Sequence, residues 1–145
     1  MPQRPLSSPV ASQRCGRVIL LVEDDACLRR PLSAALERRG YTVYTAGDGF
    51  NAVRVAQEVR PDVILTDLGL PDVDGLETVR AIRLHPELEH VPIVTMTAWN
   101  GAEARARVCE DGLASPLTKP FDVQDLAERV VHRLDAVLRR PEPTP

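Results

Sequence analysis

Short apolar runs recurring between helix-length segments restrict this chain more than any other feature. Val18–Val22, Tyr41–Thr45, Val63–Leu65, Val91–Met96 and Leu113–Leu117 are the runs, and each gap between them is long enough for a helix. The first gap places Leu28, Leu32, Ala35 and Leu36 at helical spacing, and the segment after the last run repeats this with Val123, Leu126, Val130, Leu134 and Val137. Five strands alternating with five helices follow. Near-continuous apolar strands imply a parallel sheet covered on both faces, so the fold class is α/β, doubly wound, with right-handed crossovers.

Local signals agree with this pattern. Asp122 is placed to cap the last helix and Gly40 to end the first. Two prolines resist it. Pro31 falls inside the first helix, where its missing donor is expected to bend or loosen the opening turns. Pro116 falls inside the fifth apolar run, a position tolerated at a sheet edge or bulge, so that strand is expected at an edge.

With 145 residues there is room for one domain with a two-sided core, and hence for a single site. Residues 1–16, rich in proline and serine, and residues 139–145 read as flexible tails around a domain at 17–138. The net charge is -3 and acidic and basic residues are mixed along the chain, which leaves no basic stripe for direct nucleic-acid binding. Cys15, Cys27 and Cys109 are odd in number and form no C-x-x-C pair, as expected of a reduced, cytoplasmic protein. The two later cysteines read as small helix residues facing a core or groove, and His85, His90 and His132 as surface residues. No apolar run approaches the roughly 20 residues of a membrane helix.

The chemistry lies where the apolar runs stop. The first gives way to Glu23, Asp24 and Asp25, the third to Thr66 and Asp67, the fourth to Thr97, and the fifth to Thr118 and Lys119. A parallel sheet brings all of these ends to one edge, where open α/β folds hold their ligands. Carboxylates gathered there would repel one another by several kcal/mol per close pair unless neutralised. An oxygen-only set of Glu23, Asp24 and Asp67 without histidine or cysteine suits Mg²⁺, whereas Ca²⁺ wants more ligands. Lys119 supplies a point charge and Thr97 a hydroxyl for phosphoryl oxygens. Asp67, preceded by a wholly apolar strand and followed by a Gly/Pro loop, is the candidate nucleophile, accepting a phosphoryl group as an acyl phosphate. Asp25 reads as a helix cap instead.

Val22-Glu23-Asp24-Asp25, Ile64-Leu65-Thr66-Asp67, Leu70-Pro71-x-x-Asp74-Gly75, Met96-Thr97-Ala98 and Leu117-Thr118-Lys119-Pro120-Phe121 together resemble the receiver domain of two-component response regulators. Each motif alone is weak, but five in order over residues 17–138 are specific. The resemblance implies a flavodoxin-like five-stranded sheet in the order 2-1-3-4-5 and a stand-alone response regulator, a monomer or weak dimer. Its Asp67 would be phosphorylated from a histidine kinase or histidine phosphotransfer protein and its surface read by a downstream protein. It further implies that Asp24 binds Mg²⁺ directly, Glu23 through water and Gly69 by its backbone carbonyl. Thr97, the Ala98 amide and Lys119 would hold phosphoryl oxygens, and a cis Lys119-Pro120 bond would aim the lysine.

Two positions depart from the family pattern. Pro116 stands where a switching aromatic is usual, so the ordinary relay from Thr97 cannot operate unchanged. Trp99 lies beside the path of an attacking water and is expected to slow hydrolysis, while the small Gly69 offsets that shielding. Asp72, Asp74 and Gly75 read as loop-shaping residues. Pro116 is also the one feature favouring a degenerate receiver that binds a partner without phosphorylation. A haloacid-dehalogenase-like phosphatase would need an acid two residues after its nucleophile, where this chain has Gly69; the expectation is therefore a switch and not an enzyme.

Overall fold

The computed structural model describes residues 17–69, 75–97, 102–110, 113, 116–118 and 122–138, with the side chains of 102–104 set aside. The tails, Ala98, Trp99, Asp72, Asp74, Lys119 and the Lys119-Pro120 bond lie outside the described residues.

The chain forms β1 (Val18–Val22), α1 (Ala26–Arg38), β2 (Thr42–Ala46), α2 (Gly49–Val59), β3 (Val63–Asp67), α3 (Gly75–Arg83), β4 (Ile93–Thr97), α4 (Ala102–Glu110), β5 (Leu117–Thr118) and α5 (Val123–Leu138), with a 3-10 turn at Pro86–Leu88. The strands are parallel in the order β2-β1-β3-β4-β5, the flavodoxin-like arrangement expected.

Alternate residues of each central strand point to opposite faces, and each face is apolar. Ile19, Leu21, Val63, Leu65, Val94 and Met96 pack against Leu32 and Leu36 of α1 and Leu126, Val130 and Leu134 of α5. Leu20, Val22, Ile64 and Ile93 face Ala52 and Ala56 of α2 and Val79 and Ile82 of α3. Burial on two sides explains why β1 reads as an unbroken apolar run. A smaller cluster of Leu68, Leu76 and Val108 seats α4.

Helix ends follow the capping residues. Asp25 accepts from the Cys27 amide at 2.9 Å, Asp48 from the Asn51 amide at 2.8 Å and Asp122 from the Gln124 amide at 3.0 Å. Gly40, after α1, has φ +98°, a conformation that suits glycine.

Several expectations need correction. The fifth strand is not Leu113–Leu117 but the two residues Leu117–Thr118, and Pro116 stands just before it. Proline has no N–H to donate, so the ladder to β4 begins after it, and β5 lies at the sheet edge as its proline demanded. For the same reason β4 begins at Ile93, after Pro92, rather than at Val91. β2 is shifted by one residue, and β3 continues through Asp67 instead of stopping at Leu65. Pro31 lies inside α1, as expected, with helix on both sides of it. Cys27 and Cys109 are exposed, not core-facing.

Candidate functional site

Register assembles the site. Val22 pairs with Thr66 across β1 and β3, so the next residue on each strand, Glu23 and Asp67, emerges at the same carboxyl edge. Asp67 in turn pairs with Met96 on β4, which puts Thr97 one step further along that edge. β1 and β3 are where the strand order reverses, because β2 lies on the other side of β1; such a switch point opens a crevice above the sheet.

Three carboxylates meet there. Glu23, Asp24 and Asp67 each offer an oxygen, all within 4.8 Å of one another, the only such grouping of metal-ligating side chains found among the described residues. Glu23 is 1% and Asp67 5% exposed, whereas Asp24 is open to solvent. Two carboxyl groups thus sit in low-dielectric surroundings while the third faces solvent. An all-oxygen donor set of this charge fits a small hard dication and would be costly without a compensating charge. Asp25 is not part of the cluster, in keeping with its role as cap.

Local bonds fix these groups. The Glu23 amide donates to the Ala46 carbonyl at 3.0 Å, and Glu23 Oε2 accepts from the Asp25 amide at 3.3 Å. Asp67 Oδ1 accepts from the Gly69 amide at 3.0 Å. The Leu68 amide donates to the Met96 carbonyl at 2.9 Å, so β3 stays paired just past the aspartate. Gly69 is exposed, and a Cβ there would meet nothing within 4 Å among the described residues. Thr97 is buried at the end of β4. Pro116 is half-buried just before β5. Ala98, Trp99 and Lys119 lie outside the described residues.

Two contributors were not assigned a place in the site from sequence. Gly75 opens α3 directly against the backbone after β3: a Cβ there would lie 2.5 Å from the Asp67 carbonyl oxygen and 2.6 Å from Leu68 Cα. Its amide donates to the Leu68 carbonyl at 2.9 Å. The Asp74-Gly75 pair signalled a turn, but only the packing shows what the glycine is for. Arg29, one turn into α1, folds back so that Nη1 donates to the Glu23 carbonyl at 2.9 Å. Nothing in its sequence context marks it, since backbone acceptors leave no residue-type signature.

A family model described as the response regulator receiver domain matches residues 19–131. The chain is 38% identical over 122 residues to the probable transcriptional regulatory protein TcrX of Mycobacterium tuberculosis, covering 84% of this chain and 50% of that protein. It spans about half the length of the curated relatives it matches. Among solved structures, the chemotaxis protein CheY4 of Vibrio cholerae superposes with a TM-score of 0.73 at 31% identity, covering 81% of this chain and 98% of that one. The Mn(2+)-bound form of response regulator Rcp1 superposes with a TM-score of 0.73 at 28% identity, covering 89% and 99%.

Proposed function

The chain belongs to the response regulator receiver domain family, a signalling module of two-component systems, and from that premise we propose that it is a Mg²⁺-dependent phosphorylation switch with Asp67 as acceptor. The observation carrying this reading is the convergence of Glu23, Asp24 and Asp67 within 4.8 Å at the switch point of the sheet. The structure of Rcp1 with Mn(2+) bound is further support for a dication.

In this reading Asp24 and Asp67 would bind the metal directly, Glu23 would act through a water, and the Gly69 carbonyl would add a ligand. The bound ion supplies charge neutralisation for the incoming phosphoryl oxygens. Asp67 attacks the phosphorus of a phosphohistidine on a kinase or phosphotransfer protein; its carboxylate oxygen forms the new O–P bond while the P–N bond breaks and the histidine keeps the electron pair. Thr97, the Ala98 amide and Lys119 hold the transferred oxygens, and Trp99 shields the acyl phosphate from water. No general acid stands two residues after Asp67, where Gly69 is, which argues against a phosphatase with its own substrate. No described helix is long and apolar enough to cross a membrane. With net charge -3 and acidic and basic residues mixed along the chain, there is no basic stripe for a nucleic-acid backbone, which supports protein partners for this domain.

Pro116 gives the second reading its one support: a receiver whose partner surface does not depend on phosphate, because a pyrrolidine ring lacks the rotation an aromatic would use. Incubation with acetyl phosphate and Mg²⁺, read by intact mass, tests both. Stable, base-labile, Mg²⁺-dependent modification that is absent from Asp67→Asn is expected, and an unmodified wild-type chain would sink the switch.

A further inference from the structure

Arg29 is a half-buried cation beside an anionic site, yet none of the chemistry proposed above uses it. It occupies the fourth position of α1, and its side chain reaches back over the loop leaving β1. Nη1 donates to the Glu23 carbonyl at 2.9 Å and makes a longer contact, 3.4 Å, with the Asp24 carbonyl. Those two residues carry two of the three carboxylates of the cluster. The guanidinium also abuts the loop after β2, where a Cβ on Gly47 would stand 3.4 Å from Nη1.

We infer that Arg29 is a positioning residue for the dication site, clamping the Glu23–Asp24 backbone so that both carboxylates converge on Asp67 before an ion arrives. The inference rests on the reading that Glu23, Asp24 and Asp67 bind a dication. Glu23 is also held through its amide, which donates to the Ala46 carbonyl, and through Oε2, which accepts from the Asp25 amide; Arg29 adds a hold on its carbonyl. A hydrogen bond from a charged donor is stronger than one between neutral groups, enough to choose between loop conformations.

Two effects of Arg29 on a bound cation have opposite signs. Its charge repels the ion, whereas the clamp removes the cost of ordering the ligands. The guanidinium is bonded to the backbone of two of the ligand-bearing residues, nearer than the roughly 8 Å beyond which physiological salt screens charge, so its repulsion is weakened only in part. The clamp acts through contact and does not depend on salt, so a salt series separates the two.

Mg²⁺ titration by calorimetry, without phosphodonor, tests this on the wild type, Arg29→Ala and Arg29→Lys at low and high salt. Both variants are expected to bind Mg²⁺ roughly tenfold or more weakly, as when other groups that orient metal ligands are removed. That loss should persist at high salt, with the circular dichroism of the wild type unchanged. Lysine keeps the charge but not the forked donor, so it should not rescue. Equal or tighter binding by Arg29→Ala, with Arg29→Lys like the wild type, would show a purely electrostatic neighbour and overturn the inference. Should Arg29→Ala fail to fold, Gly47→Val, which crowds the guanidinium while leaving its charge, decides by the same criterion. A wild-type chain that binds no Mg²⁺ overturns the dication reading itself, and this inference with it.

Discussion

Asp67, the proposed acceptor, is packed beside Glu23, and both carboxyl groups are almost fully buried. Carboxylates gathered so closely repel one another without a compensating charge, so the proposed function would be held at the expense of stability. Asp67→Asn should raise the stability of the metal-free chain by on the order of 1 kcal/mol, the scale of one close charge pair in partly solvated surroundings, in urea unfolding with a chelator present. Thr95 is the opposite case. Its Oγ1 is buried on β4 with no hydrogen-bond partner among the described residues. Thr95→Val should stabilise by about 1 kcal/mol in the same assay, because the orphan hydroxyl is removed at nearly constant shape. Gly75 tolerates no side chain, since the atoms a Cβ would strike are backbone. Gly75→Ala should cost about 1–3 kcal/mol and shift the Asp67–Leu68 backbone, seen as amide chemical-shift changes at both residues.

α1 shows how one element serves structure and site together. Its cap, Asp25, is adjacent in sequence to Asp24 but turned to the Cys27 amide, and so leaves the metal cluster. Asp25→Ala should lower stability by about 1 kcal/mol while Mg²⁺ stoichiometry, measured by calorimetry, stays that of the wild type; a lost metal response would return Asp25 to the site. The helix carries Pro31 without interruption. Proline at that position omits one backbone hydrogen bond, and the burial of Leu32, Ala35 and Leu36 behind it outweighs the loss, since each such side chain contributes about 1.5–3 kcal/mol when fully buried, with less for alanine. β5 is the other extreme, two half-buried residues at the sheet edge.

Across the molecule, the cost of the acidic cluster and the affinity for a dication are linked. A ligand that binds only the folded state stabilises it by RT ln(1 + [L]/Kd), about 2.7 kcal/mol at a hundredfold excess over Kd. Adding Mg²⁺ should therefore raise the wild-type melting temperature and chelation should reverse it, while Asp67→Asn, already relieved of one charge, should respond far less. Equal responses in both proteins would contradict a site that includes Asp67.

Much of this arrangement was legible from residue types alone. Two-sided burial writes itself as continuous apolar strands, and a functional edge writes itself as polar residues where those strands stop, so the parallel sheet, Glu23, Asp24, Asp67 and Thr97 follow from pattern. Caps such as Asp25 and Asp122 were legible for the same reason, because the group that bonds is a side chain. Strand limits near Pro92 and Pro116 were not, since hydrogen-bond register depends on both partners. The exposure of Cys27 and Cys109 was set by the rotation of each helix against the sheet. Gly75 and Arg29 stayed hidden because each meets backbone, an acceptor or obstacle that every residue carries. Side-chain chemistry is local and can be read along the chain; close approach and backbone contact exist only once the chain has folded back upon itself.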